Sequence, residues 1–193
     1  MVNPVDPNKI LLTGENSFIR LQETEDGAET TRASHWRILK SPSGPGHVLF
    51  LQSDVTDGEV RIYSDNIALT RWLQATIESV LYPAFADETI PVIDSEFDKV
   101  GDGINHWTET VDSLEESLQL TWYDIGEPFI LSAAPGEMQG NPHGVYSCLI
   151  PCERAQLTLN GEAAAGRPFP EMIGSHKTST ACLAWSETWT HPR

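Results

Sequence analysis

Three carboxylates occupy strand-like stretches in which the residues two positions away are apolar. Side chains that alternate along a strand share one face, so such a carboxylate is predicted to point where hydrophobic side chains point. A desolvated carboxyl has a raised pKa, and a general acid or base near neutral pH needs one. The carboxylates and their same-face neighbours are Glu187 with Leu183, Trp185 and Trp189; Glu109 with Trp107 and Val111; and Asp124 with Leu118, Leu120 and Trp122.

A structural alternative applies to each of these carboxylates. Near a strand end it faces water, or it forms an ion pair with Arg37, Arg61 or Arg71. Because structural ion pairs also perturb pKa values, the residue pattern leaves both interpretations open. If Glu187 and Glu109 follow their neighbours, both are buried and at least one lines a cavity.

Two histidines are candidate proton carriers, His106 beside Trp107 and His176 shortly before the last predicted strand. The six histidines form no H-x-H or HExxH pair, so no metal site is predicted. The chain has no GxSxG sequence, and its glycine pairs lie in turns that do not open a helix after a strand. No nucleotide or other cofactor is therefore expected.

Aromatic side chains supply candidate ligand contacts. Tryptophan and tyrosine suit a flat or largely apolar molecule, although tryptophans in a barrel are more often part of its core. The candidate ligand-binding residues are Trp107, Trp122, Tyr123, Tyr146 and Trp185.

One stretch predicts a helix, over about residues 66–82. Its apolar residues recur with helical spacing, and Ser64 or Asp65 is expected to cap its start. Pro83 is expected to end it. The apolar face consists of Leu69, Trp72, Leu73, Ile77, Val80 and Leu81.

The remaining stretches predict about ten strands, and hence a mostly antiparallel barrel or sandwich in a single domain, 1–193, with an irregular arm at 1–9. Residues 118–124 and 128–133 are expected to pair as a hairpin, and Asn160-Gly161 is a strong hairpin turn. The breaker-rich residues 135–144 predict a rim or lid. The predicted strands are 18–23, 34–40, 47–54, 59–63, 90–97, 106–111, 118–124, 128–133, 145–150, 155–159 and 177–189.

Composition narrows the classes of partner. A net charge of −16 disfavours nucleic acid and anionic membranes, and no apolar run is long enough to span a bilayer. No signal peptide opens the sequence, so a soluble, cytoplasmic protein is expected. Its three cysteines, Cys148, Cys152 and Cys182, are expected to be buried thiols in a reducing compartment.

The C-terminal third, residues 154–189, resembles calycin-type barrels. A strand ending at Asn160-Gly161, a glycine-rich return and His176 before a last strand ending in tryptophan are similar in outline to the lipocalin-like AttH and hydroxyneurosporene-synthase family. Members of that family include hydratases and cyclases of lipophilic compounds. The resemblance implies a barrel with an internal apolar cavity. Combined with the strand and helix patterns, it predicts an all-β, lipocalin-like (calycin) antiparallel β-barrel with one amphipathic α-helix. The chain is short for the family's two-barrel form and lacks its His-Asp-His-x-Trp style ending, so no catalytic residue is carried over.

The first functional hypothesis is a cofactor-independent lyase, hydratase or isomerase that acts on a small, largely apolar or aromatic molecule. A second is a lipocalin-type binding protein without catalysis, and a third is a structural or interaction module. Carboxylates buried in a cavity favour the enzyme, an apolar cavity with every carboxylate paired to arginine favours the binder, and a fold without a cavity favours the third. The sequence leaves open whether the protein forms a homo-oligomer.

Overall fold

The computed structural model describes residues 9–138 and 140–192. The predicted arm at 1–9 therefore lies outside the described residues except for Lys9, whose carbonyl accepts a hydrogen bond from the His191 N–H at 2.9 Å. Within these ranges no helix is both long and apolar enough to cross a bilayer.

Most of the described chain is strand, in segments that reach sixteen residues. The strands are β1 (Ile10–Gln22), β2 (Glu29–Lys40), β3 (Gly46–Ser53), β4 (Val60–Ser64), β5 (Val92–Asp94), β6 (Glu96–Gly101), β7 (His106–Asp112), β8 (Ser117–Ile125), β9 (Phe129–Ala133), β10 (Gly144–Leu159), β11 (Glu162–Ala163), β12 (Pro170–Ile173), β13 (His176–Ser179) and β14 (Ala181–Thr190). Short 3-10 turns lie at Asp54–Thr56 and Pro83–Ala86.

The main sheet runs β5-β4-β3-β2-β1-β14-β10-β8-β7-β6. Its neighbouring strands are antiparallel except for β4 and β5, which are parallel. Its two outermost strands, β5 and β6, are separated in sequence only by Ser95, so one continuous stretch joins the two ends of the sheet. The result is a nearly closed, mostly antiparallel barrel with one short helical region, which confirms the predicted all-β barrel with a helix.

Side chains from every part of this ring fill the barrel. Leu49 and Leu51 of β3, Trp122 of β8 and Leu157 of β10 belong to one buried cluster, although their strands lie on different sides of the barrel. The central volume is therefore packed core. Leucine and tryptophan side chains occupy much of the barrel interior.

The helical region covers the outer face of the sheet. It comprises α1 (Ile67–Leu73), a π-helical turn (Gln74–Glu78) and α2 (Ser79–Leu81). The expected cap at Ser64 or Asp65 is wrong, because the Asn66 side chain accepts from the Leu69 N–H instead. The helix face packs on alternate residues of β2 and β3, including Trp36 and Phe50, to form a second core outside the barrel.

Three expectations about the strands need correction. β10 is a single strand that passes through Pro151, whereas two strands were predicted there. β8 and β9 do not form a hairpin, because both pair antiparallel with β10 and therefore run in the same direction. The predicted strand 177–189 is interrupted at Thr180. The Asn160-Gly161 turn joins β10 to β11 and is confirmed.

Candidate functional site

A bulge in β14 decides which face of the sheet Glu187 occupies. Between Tyr146 and Cys148 β10 advances two residues, while β14 advances three between their partners Thr188 and Trp185. Ser186, in the left-handed region with a φ of 60°, takes up the extra residue. The prediction that Glu187 shares a face with Leu183 and Trp185 is therefore wrong.

The two sides of the bulge pack in different places. Leu183 and Trp185 contact the barrel core, whereas Trp189 packs in the outer core beneath the helix. Glu187 lies on the same outer side and hydrogen-bonds to Trp189. Its predicted burial is nevertheless observed, since it is only 5% exposed.

Glu187 is held by two uncharged donors. The Trp189 Nε1 donates to one carboxylate oxygen at 2.5 Å, and the Ser147 hydroxyl donates to the other at 2.9 Å. Among the described residues no basic side chain forms an ion pair with it. Burial raises the pKa of Glu187 from 4.5 to about 7, and the two hydrogen bonds oppose that rise only in part.

Glu78, at the end of the π-helical turn, has matching surroundings. The Trp36 Nε1 donates to it at 2.7 Å and the Ser34 hydroxyl at 3.1 Å, while Asn16 donates to that hydroxyl. Burial raises the pKa of Glu78 to about 7; the hydrogen bonds and the charge of Arg32 lower it, and the charge of Glu187 raises it. A π-helical turn within an α-helix is frequent at functional sites.

The two carboxyls are linked through their indole donors. Their indole donors, Trp36 and Trp189, are in contact with ring centroids 6.3 Å apart. Burial raises the pKa of both carboxyls to about 7, and the charge of Glu187 adds to the rise at Glu78. Such a pair supplies an acid and a base together.

Both carboxyls open onto a cleft between the sheet and the helical region. One pocket of about 220 Å³ includes Glu78, and another of about 150 Å³ includes Glu187. Both pockets share the walls formed by Asn16, Phe18 and Leu81. Met138 and Asn141, in the loop predicted as a rim or lid, border the second pocket.

Glu109 forms an ion pair with Arg37, which is the structural role that the sequence left open for it. It is 3% exposed and accepts two hydrogen bonds from Arg37, at 2.8 and 2.9 Å, and one from Trp107 at 2.8 Å. Arg37 also binds Glu15 at 2.8 Å. Burial raises the pKa of Glu109 and the Arg37 charge opposes the rise. Its burial was predicted, but it lies in a structural ion pair.

Asp124 and the two candidate histidines do not line the cleft. The prediction that Asp124 points with Trp122 into the core is wrong, because Asp124 is exposed, has a φ of 51° and pairs with Arg154. That hydrogen bond lowers its pKa. His106 is half-buried opposite Tyr123 in β8, and the exposed His176 stacks on Phe129 at 4.7 Å.

The aromatic residues predicted to bind a ligand also lie outside the cleft. Trp122 is fully buried in the barrel core, and Trp107 packs edge-on against Trp185 at 5.3 Å. Arg154 lies over the ring of Tyr123, and Tyr146 is half-buried in β10. Trp189 lines the Glu187 pocket instead, and the indoles of Trp36 and Trp189 donate to the two carboxyls.

Sequence reasoning missed Glu78, Asn141 and the serine and tryptophan donors. A signal existed for Glu78, because Thr70, Gln74 and Glu78 recur every four residues beside the apolar row Leu69, Leu73 and Ile77. Both rows are fully or almost fully buried. In the described part of the chain, no group of three or more histidine, cysteine or acidic side chains could hold a metal ion.

Comparison of the chain with protein-family models, curated proteins and solved structures finds no match. The candidate site therefore rests on its own geometry.

Proposed function

We propose that this protein is a cofactor-independent lyase, hydratase or isomerase that moves a proton on a small, largely apolar molecule. The observation that carries the proposal is the pair Glu78 and Glu187, two buried carboxyls held by neutral donors and facing one cleft. Burial of a carboxyl without a cation is costly. Because two carboxyls are buried in this way at one cleft, a chemical role is favoured over a structural one.

The pair has the protonation that such a reaction needs. With a pKa raised to about 7, either carboxyl can accept a proton in its ionised form and donate one in its protonated form near neutral pH. The short contacts to Trp189 and Trp36 fix each carboxyl without neutralising it. Neither step requires a nucleotide or a metal ion.

The apolar part of the cleft wall favours a second candidate, a protein that binds a small apolar molecule without changing it. The rest of the Glu78 pocket is polar and includes Arg20, Arg32 and Glu171. Phe18, Leu81 and Ile173 line both pockets and would suit such a ligand. A binder gains nothing from two buried carboxyls that lack an ion-pair partner among residues 9–138 and 140–192, whereas the enzyme requires them. The two candidates therefore differ in what replacement of a carboxyl does.

The test is solvent-deuterium incorporation. The protein is incubated in D2O with a panel of small apolar ketones, enones and alkenols, and each compound is then analysed by mass spectrometry. We expect deuterium uptake with the wild-type protein and a loss of about 10²- to 10⁴-fold in Glu187→Gln. Asp124→Asn, in the exposed ion pair with Arg154, is the matched control and retains uptake. Binding without any uptake would favour the binder.

A further inference from the structure

The wall of the Glu187 pocket contains a hydrogen-bond donor without a partner. Asn141 is 6% exposed, and its Nδ2 has no hydrogen-bond partner among the described residues. Its Oδ1 accepts from the His143 N–H at 2.9 Å, which fixes the orientation of the amide. Asn141 is also one of the residues that line the pocket of Glu187, so the residue that carries this unpaired N–H2 group belongs to the wall of that pocket.

An unpaired buried amide N–H group is unfavourable, and a ligand that supplies an acceptor removes the penalty. Polar groups of this kind orient a ligand within an otherwise apolar pocket. Here the other walls include Leu131, Met138 and Leu149. The pocket therefore suits an apolar molecule with one neutral acceptor oxygen.

The size of the pocket limits that molecule. It measures about 150 Å³, and an apolar cavity of about that volume holds one benzene molecule. A ligand with a carboxylate is disfavoured by the neighbouring Glu187 and by the overall charge of −16. A ring-sized neutral compound fits both restrictions.

We infer that Asn141 donates from Nδ2 to the carbonyl oxygen of a small apolar ketone or enone bound beside Glu187. The inference rests on the proposed function, because among neutral acceptors a carbonyl is the group that makes an adjacent C–H acidic enough for a carboxylate base. It assigns the substrate class, an apolar carbonyl compound, and makes Asn141 a substrate-binding residue.

The reaction then balances without a further reagent. The Glu187 carboxylate removes a proton from the carbon next to the carbonyl, and the C–H electron pair forms a C=C bond. The C=O π electrons move to oxygen, where the Asn141 N–H stabilises the enolate. Return of a proton, from Glu187 or from Glu78, to the same carbon exchanges it with solvent, and return to a conjugated carbon shifts a double bond.

The test compares cyclohexanone with methylenecyclohexane, in which a CH2 group replaces the carbonyl oxygen. Dissociation constants are measured by NMR titration for the wild-type protein and for Asn141→Leu. We expect the affinity for cyclohexanone, divided by the affinity for methylenecyclohexane, to fall by about tenfold in the variant. This is the usual worth of one hydrogen bond to a buried donor. The carbonyl resonance of ¹³C-labelled cyclohexanone should move downfield on binding to the wild-type protein and return in the variant.

Further variants keep the outcome interpretable. Asn141→Ala removes the donor with less crowding and replaces the leucine variant if that one does not fold. Asn105→Ala removes an exposed asparagine whose Nδ2 binds Asp102 within a turn, and it should leave the affinity ratio unchanged. Glu187→Gln should also retain the carbonyl preference while deuterium exchange next to the carbonyl falls.

Two results would overturn the inference: an unchanged affinity ratio in both Asn141 variants, or no binding of cyclohexanone to the wild-type protein. A lost carbonyl preference in those variants, without deuterium exchange by any form of the protein, would support the Asn141 contact. That result would count against proton transfer by Glu187, so the inference and the proposed function fail in distinguishable ways.

Discussion

Glu78 and Glu187 come from a helix and a strand that are far apart in the sequence, yet each accepts one indole N–H and one serine hydroxyl. Trp36 and Ser34 donate to Glu78, and Trp189 and Ser147 donate to Glu187. These donors hold both carboxyls, and no basic side chain in the described part of the chain forms an ion pair with either. Two such groups at one cleft are the basis of the proposed proton transfer.

Glu187→Gln is expected to abolish most of the activity without unfolding the protein. Glutamine keeps the shape of the side chain and an oxygen that accepts from Trp189, but it cannot titrate. Deuterium exchange into cyclohexanone should fall by about 10²- to 10⁴-fold. Circular dichroism and a thermal melt report folding of the same sample, and a folded variant with full exchange would remove Glu187 from the mechanism.

The stability of the protein should depend on pH through the same residue. The pKa of Glu187 is raised from 4.5 to about 7 in the folded protein, so the folded state binds the proton more tightly than the unfolded state. Its stabilising contribution is complete below about pH 4.5 and is lost as the pH rises through 7. The loss is on the order of 3 kcal/mol, at about 1.4 kcal/mol per pKa unit.

Urea unfolding at pH 5 and pH 8 measures this dependence. The decrease in the free energy of unfolding between these pH values should be smaller in Glu187→Gln than in the wild-type protein. His35, whose pKa burial lowers to about 3, acts in the opposite direction and is common to both proteins. Equal pH dependence in the two proteins would argue against a raised pKa at Glu187.

Glu109→Gln should affect stability instead of catalysis. The substitution removes the carboxylate that binds Arg37, whose side chain is 12% exposed, and leaves it with Glu15 alone. We expect the free energy of unfolding to fall by about 3 kcal/mol, the lower end of the usual cost of breaking a buried ion pair. Deuterium exchange per folded molecule should persist; a stable but inactive variant would contradict this assignment.

Trp189→Phe is expected to shift the pH profile of exchange to higher pH. The indole N–H favours the ionised form of Glu187, so its removal raises the pKa of that carboxyl further. Glu187 controls one limb of the plot of exchange rate against pH, and the midpoint of that limb should move to higher pH. Trp122→Phe, in the barrel core, provides a tryptophan control that loses packing without touching either carboxyl; an equal shift there would indicate a structural effect.

The sequence predicted the barrel and the helix well because both leave periodic patterns. Val48 to Leu51 are apolar at every position and lie buried on both faces, and Asn160-Gly161 makes the expected turn. The face of the sheet on which Glu187 lies was predicted wrongly. Alternation assumes an unbroken strand, and the bulge at Ser186 reverses the faces beyond it without a glycine to announce it.

The partner of Glu187 was hidden for another reason. Glu78 lies beside the apolar row of the helix, where an acidic residue usually borders solvent. Its burial depends on Trp36 and Ser34 of β2, which lie more than forty residues earlier and supply the hydrogen bonds. Local periodicity contains no information about that pairing, so only the folded structure brings the two carboxyls to one cleft.

Direct titration of the two carboxyls tests the central claim. Side-chain ¹³C carboxyl resonances of labelled protein are followed from pH 3 to pH 10, with Glu78→Gln and Glu187→Gln used to assign them. We predict that both residues titrate near pH 7, and that Glu187→Gln lowers the pKa of Glu78 because it removes a charge that raises that pKa. Titration of both carboxyls near 4.5, each unaffected by the other's replacement, would contradict the account.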